Sequence, residues 1–246
     1  MQAAIRAAAP DRVVHLAAIA FPGHAHIDEI YRTNLEGSLT LLDVLAELGH
    51  GRNGVLLAST ATVYGAVDSA SISEASPPNP GSHYAVSKLA MEQMARLFAS
   101  KLPITVVRPF NYTGPGQREP YLVPKIVRHF AESATVIELG NVDVIRDFLD
   151  VRTVVEMYAR LVSTPATAGQ TVNICSGTGR TIRSIVTALE GITGRAMEIR
   201  VNPQFVRAGE PQQMVGSAAR LHALIGMPAG IPFESTLRDM LHARAT

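Results

Sequence analysis

The chain has 246 residues, 47% of them hydrophobic and 17% charged, with a mean hydropathy of +0.15. That is apolar surface enough for one large domain, or a large domain with a smaller lobe. Basic and acidic residues nearly cancel, 22 against 21, which excludes a general field that would draw the protein to nucleic acid or to an anionic membrane. A single cysteine excludes an intramolecular disulfide and predicts a cytoplasmic protein.

The first ten residues carry Arg6 within what would be the apolar stretch of an export signal, and the longest apolar runs are far shorter than the roughly 20 residues that cross a bilayer. Val13-Val14-His15-Leu16-Ala17 reads as the first strand. Over 34–48, Leu35, Leu39, Leu42, Leu45 and Leu48 recur at spacings of three and four before Gly49, predicting an amphipathic helix. Residues 55–59 predict a strand, and 69–82, with Pro77, Pro78 and Pro80, a surface loop. A helix follows over 84–97, then a buried-type strand over 104–107 that Pro109 stops. Strand–helix alternation of this kind predicts an α/β domain with a parallel sheet.

Residues 111–121 gather Gly114, Pro115, Gly116 and Pro120 and predict a loop at which a second lobe begins. Beyond it the pattern predicts helices over 123–131, 154–162, 182–192 and 237–243 and strands over 137–140, 146–151 and 170–175. The predicted domains are 1–117 with 147–176, and a lobe of 118–146 with 177–246.

Tyr84 and Lys88 lie four apart near the start of a predicted helix, so both project from one face. An ammonium beside a phenol favours the phenolate and lowers its pKa, which makes tyrosine usable in proton transfer. Chance alone yields such a pair with probability about 0.07, so the spacing is only moderately specific. Ser59-Thr60-Ala61-Thr62-Val63-Tyr64-Gly65 puts hydroxyls at the C-terminal end of a strand, where open α/β sheets bind ligands. Local turn hydrogen bonds account for such hydroxyls equally well. His15, His24 and His26 have no accompanying acid or cysteine cluster, so no metal site is expected, and Met91 and Met94 read as core fillers.

In chain order, Val14-His15-Leu16-Ala17-Ala18, the Ser59–Gly65 segment, Tyr84-x-x-x-Lys88, Arg108-Pro109-Phe110-Asn111 and Arg146-Asp147-Phe148-Leu149-Asp150-Val151 resemble the extended short-chain dehydrogenase/reductase family of nucleotide-sugar epimerases, dehydratases and reductases. Segments 111–117, 122–126 and 201–207 look most like the GDP-6-deoxy-4-keto-mannose reductases. The resemblance implies Thr60, Tyr84 and Lys88 as catalytic residues. It places NAD or NADP, with NADPH favoured, against Leu16, Ala17, Ala18, Asn34, Ser59, Tyr84, Lys88 and Pro109. Thr60, Asn111, Lys125, Arg146, Arg207 and Glu210 would meet a nucleotide-sugar substrate, a GDP-sugar favoured, with the guanidinium groups on its diphosphate. An ordinary surface charge is the competing account of each cation. A homodimer through 34–48 and 84–97 is implied as well.

Thr62 stands where the family's dehydratases have an acid, and Cys175 lies in an apparent structural strand, so dehydration and reductive epimerisation are disfavoured while a 4-epimerase stays open. No Gly-rich turn precedes Val13, so the expected fold is an N-terminally truncated Rossmann-type parallel sheet with a smaller C-terminal α/β substrate lobe. An upstream start, a truncated remnant and a catalytically silent binding protein each explain that gap, the first being preferred. The gap predicts weak or no NAD(P)H binding by 1–246.

Overall fold

The computed structural model describes residues 1–20, 26–67, 69–206, 209–226 and 228–245. In chain order the regular elements begin with α1 (Gln2–Ala8), β1 (Val13–His15), α2 (Ile27–Tyr31), α3 (Gly37–Leu48), β2 (Val55–Ala58), α4 (His83–Arg96), β3 (Ile104–Pro109) and β4 (Asn111–Thr113). They continue with α5 (Leu122–Ala131), β5 (Val136–Leu139), β6 (Ile145–Asp150), α6 (Val151–Ser163), β7 (Thr171–Ile174), β8 (Gly179–Thr181) and α7 (Ile182–Thr193). The chain closes with β9 (Glu198–Val201), β10 (Gln213–Met214), α8 (Ala219–Ile225) and α9 (Phe233–Ala245).

The main sheet is parallel throughout, in the order β1-β2-β3-β7. Its central strands are unbroken apolar runs, Val55-Leu56-Leu57 and Ile104 to Val107, because a parallel strand covered on both faces has no polar side to alternate. On one face α3 and α4 pack Leu42, Leu45, Met91 and Ala95 against Val55, Leu57 and Val106. On the other, α6 and α8 pack Met157, Leu161 and Leu221 against Leu56, Val107 and Val172. The fold is thus α/β of Rossmann type, as expected.

The helix over 34–48 is part of a longer run. A π-turn over Arg32–Glu36 joins α2 to α3, and the inward line at its start is taken by polar Asn34 and Ser38. Leu41 and Val44 join Leu42 and Leu45 inside while Leu39 faces out, because the polar pair has bonding partners inside and rotates the stripe. The predicted loop over 111–121 also needs correction. Its first residues form β4, in parallel register with Phe148–Asp150, a pairing no local pattern announces. Strand β6 pairs further with β10 and, in antiparallel sense, with β8.

A separate apolar cluster joins α5, α7 and α9 to β5 and the start of β6, through Ile126, Phe130, Ile137, Val144, Ile185, Leu189 and Leu237. Strand β9 completes this region by pairing with β5. Among the described residues no helix is long and apolar enough to cross a membrane.

Candidate active site

Strands β1, β2 and β3 end side by side, His15 level with Leu57, Ala58 with Val107 and Pro109 with Ile174. The chain leaves β2 through Ser59 and Thr60 into a 3₁₀ turn over Ala61–Tyr64, which Thr60 caps by accepting Thr62 N at 3.2 Å. Gly65 closes that turn at φ 64°, where a Cβ would come within 1.9 Å of Asn79 O, so only glycine fits. Helix α4 starts at Ser82, whose side chain accepts Ala85 N at 3.2 Å.

The cap sets the helix so that Tyr84 and Lys88 point at the end of β2. Tyr84 lies against Thr60, whose hydroxyl favours its phenolate, and Lys88 Nζ donates to Ala58 O at 2.7 Å. Lys88 is only 2% exposed, and burial pulls its amine down to about 8. Burial acts on Tyr84 in the opposite sense and pushes it up to about 12, against the Thr60 hydroxyl, which lowers it. The lowering by Lys88 that the spacing predicts is therefore not what the fold produces, because the ammonium is turned to a strand carbonyl. Tyr84 is a neutral phenol at pH 7. The hydroxyls of Tyr112 and Tyr121 lie close enough to oppose its ionisation further, and no spacing in the sequence marks either of them.

The other candidates at this end of the sheet have diverse surroundings. Leu16 is exposed, with Ala17 and Ala18 beyond it, and Pro109 is half-buried. Asn34 is fully buried and committed: Oδ1 accepts Ile19 N at 2.8 Å, and Nδ2 donates to Ile19 O and to Ser87 Oγ. It fastens the loop after β1 to α4. His15 Nε2 lies 2.9 Å from Ser38 Oγ, burial and the charge of Lys88 keep its pKa low, and His24 lies outside the described residues.

A buried polar network lies behind Thr60 and has no signal in residue spacing. Ser59 Oγ donates to Glu92 Oε1, and Arg108 grips the same carboxylate through Nε at 3.0 Å and Nη2 at 2.6 Å. The Arg108 guanidinium lies 4.8 Å from the Tyr64 ring centroid, and Tyr64 donates to Asn173 Oδ1 at 2.7 Å. Asp147, also fully buried, accepts Ser176 N, Ser176 Oγ, Gly177 N and Gly216 N, while its burial raises its pKa.

The candidates for the substrate side sit on β4, α5 and β6 and in the segment before β10. Asn111 Nδ2 donates to Asp147 O at 3.1 Å. Lys125 Nζ donates to Glu138 O at 2.7 Å and stands 4.5 Å over the Phe205 ring. Arg146 and Glu210, both expected as substrate ligands, are bonded to each other at 2.8 Å. Arg207 lies outside the described residues.

A Rossmann-type sheet with Tyr84, Lys88 and Thr60 gathered at its C-terminal edge defines a short-chain dehydrogenase/reductase of the epimerase/dehydratase kind. The family model for GDP-mannose 4,6 dehydratase matches residues 1–240. The chain is 37% identical to GDP-6-deoxy-D-talose 4-dehydrogenase of Aggregatibacter actinomycetemcomitans, over 92% of this chain and 76% of that protein. It is 36% identical to GDP-6-deoxy-D-mannose reductase of Pseudomonas aeruginosa, over 94% and 79%. The structure of RMD from Pseudomonas aeruginosa complexed with NADPH superposes with a TM-score of 0.88 at 35% identity, over 95% of this chain and 81% of that one. The chain belongs to the GDP-mannose 4,6-dehydratase family and is an enzyme of that family.

Proposed function

We propose that this enzyme reduces a 4-keto-6-deoxy GDP-sugar with NAD(P)H. The observation that carries the reading is the gathering of Tyr84, half-buried, with Thr60 and the buried Lys88 at the C-terminal end of β2. A phenol that keeps its proton at pH 7 is a donor, which is what a carbonyl needs as it becomes an alkoxide. Names of the relatives supply the substrate class, one a GDP-6-deoxysugar 4-dehydrogenase and one a GDP-6-deoxysugar reductase.

The cofactor's reduced nicotinamide would supply the hydride at C4. At the nicotinamide end the chain's own groups fit that cofactor: an ammonium has three donors, and among the described residues Lys88 Nζ has one partner, Ala58 O. Its remaining N–H groups suit the hydroxyls of the nicotinamide ribose, with Leu16, Ala17, Ala18, Ser59 and Pro109 forming the adjoining wall. In that frame Thr60 and Tyr84 hold the keto oxygen and Tyr84 gives it a proton, while Lys88, held on Ala58 O, faces the nicotinamide ribose. Asn111, Lys125, Arg146 and Arg207 receive the sugar diphosphate and Glu210 the nucleoside; for Arg146 and Glu210 this requires exchanging their mutual bond for the ligand. The enzyme works as a homodimer through α3 and α4, whose outward faces carry Leu39 and Val86.

The purified chain is assayed with GDP-6-deoxy-4-keto-mannose by loss of nicotinamide absorbance, at NADPH raised far above the usual assay level because no Gly-rich turn precedes Val13 and its binding is expected to be weak, and the product's C4 configuration is read by NMR. Stoichiometric oxidation of NADPH is the expected result. Interconversion of a 4-hydroxy nucleotide sugar with its C4 epimer, with no net NADPH consumed, would replace the reductase reading by a 4-epimerase.

A further inference from the structure

Helix α4 carries three functional groups at four-residue steps, Tyr84, Lys88 and Glu92, and their partners are three consecutive residues at the end of β2. Lys88 bonds Ala58 O, Glu92 accepts Ser59 Oγ, and Tyr84 lies against Thr60. The middle clasp is the unusual one. Glu92 and Arg108 are 2% and 4% exposed, and a buried ion pair of this kind costs about as much in desolvation as its attraction returns. Stability alone would be served as well by apolar side chains of the same volume. What apolar side chains would not supply is a directed acceptor for the Ser59 hydroxyl.

We propose that Glu92 and Arg108 are positioning residues, which fix Ser59 from the side chain and so set the placement of its neighbour Thr60 against Tyr84. Ser59 is held twice, its N–H on Val107 O at 2.8 Å and its hydroxyl on Glu92. With both bonds made, the extended backbone at Thr60 (φ −162°, ψ 146°) has one direction in which to leave the sheet. Arg108 keeps the carboxylate from rotating by gripping both its oxygens, and is itself backed by the Tyr64 ring and, through Tyr64, by Asn173 on β7. The Thr60 hydroxyl is already engaged in its own turn, accepting Thr62 N at 3.2 Å and lying 3.0 Å from Thr62 Oγ1, so a shift of the strand end would leave it to the turn and away from Tyr84. A misplacement of about 1 Å at a reacting group can cost about 10²-fold in rate.

The catalytic importance of the Thr60–Tyr84 contact rests on the function proposed above; the geometric claim does not. Two arms separate them. The first needs no turnover: Lys88, Lys101 and Lys125 are the lysines of the chain, so ¹³Cε NMR follows Lys88 through its titration. In S59A, and in R108K, which keeps the charge but loses the fork, the loosened strand end admits water to Lys88. Its midpoint should rise from about 8 by about half a unit or more, with Lys101 and Lys125 unmoved. An unmoved Lys88 in folded S59A overturns the proposal; S59A removes one oxygen and keeps the ion pair, so it reports even where R108K does not fold. The second arm is kinetic, with the 4-keto GDP-sugar and NADPH. S59A should lower kcat about 10- to 100-fold with KM within about twofold, and S59T should recover most of the loss. A raised KM at unchanged kcat contradicts positioning. A wild-type chain with no turnover counts against the proposed function alone and leaves the NMR result standing.

Discussion

The end of the main sheet and the cationic face of the lobe both gather charged side chains, but they hold them in different ways. At the sheet edge Lys88, Glu92 and Arg108 are almost wholly buried, each fixed by partners from another element. On the lobe Lys125 is bonded to a strand carbonyl beneath an exposed ring, and Arg146 is paired with the partly exposed Glu210. Burial makes the first set rigid and sensitive to any change in charge. In the second set the guanidinium of Arg146 is itself buried, but its partner Glu210 is a quarter exposed, so a ligand carrying negative charge can take the place of that carboxylate. One region is built to keep its geometry and the other to give it up.

The largest expected effect is at the sheet edge. Y84F keeps the ring and removes the acid, and should lower kcat for the 4-keto sugar about 10²- to 10⁴-fold with the unfolding midpoint little changed; near wild-type NADPH consumption would refute the role given to Tyr84. R108M leaves Glu92 buried with no counter-charge and should cost about 3–5 kcal/mol in urea unfolding. A loss under about 1 kcal/mol would mean the pair is far better hydrated than its burial indicates.

K88M should do the reverse. An amine folded at about 8 and unfolded at about 10.4 is protonated in both states below pH 8, so its burial penalty is full there. Between those values the unfolded chain holds the proton that the folded one has released, so wild-type stability rises with pH across that window. K88M should therefore be more stable at pH 7, by about 1–3 kcal/mol, with the difference shrinking toward pH 10, while activity is lost. Chemical unfolding at several pH values checks both signs, and a less stable K88M at pH 7 contradicts them.

The smallest effect is expected on the lobe. R146A removes a buried guanidinium but leaves a carboxylate, Glu210, that is a quarter exposed and can be hydrated, so it should shift unfolding by about 1–2 kcal/mol, less than R108M. It should still weaken GDP binding measurably by calorimetry. Large destabilisation with unchanged GDP affinity would make Arg146 a structural residue like Arg108 and erase the contrast between the regions.

Much of the sheet edge is legible in the amino-acid sequence. Tyr84 and Lys88 share a face because a helix repeats every 3.6 residues, and Thr60 follows closely on an apolar strand. Strands β2 and β3 are recognisable as buried because their runs are apolar on both faces. The clasp of Ser59, Glu92 and Arg108 is not legible, although each residue lies within or a few positions from a recognisable motif. Glu92 is 33 residues from Ser59 and 16 from Arg108, and the three meet only when α4 lies across β2 and β3. For the same reason nothing in the sequence pairs Arg146 with Glu210, which are 64 residues apart.

Sequence alone determined the main alternation of strands and helices and the parallel sheet, which follow from local periodicity, and it singled out Tyr84, Lys88 and Thr60 through a four-residue spacing and a resemblance in motif order. Tertiary structure decided the protonation states. Spacing put an ammonium near a phenol and predicted a lowered tyrosine pKa, whereas the packed fold turned the ammonium to Ala58 O and raised the tyrosine to about 12. A pKa depends on what surrounds a group in three dimensions, on water excluded and on dipoles pointed at it, and neither is encoded in the distance between two residues along the chain.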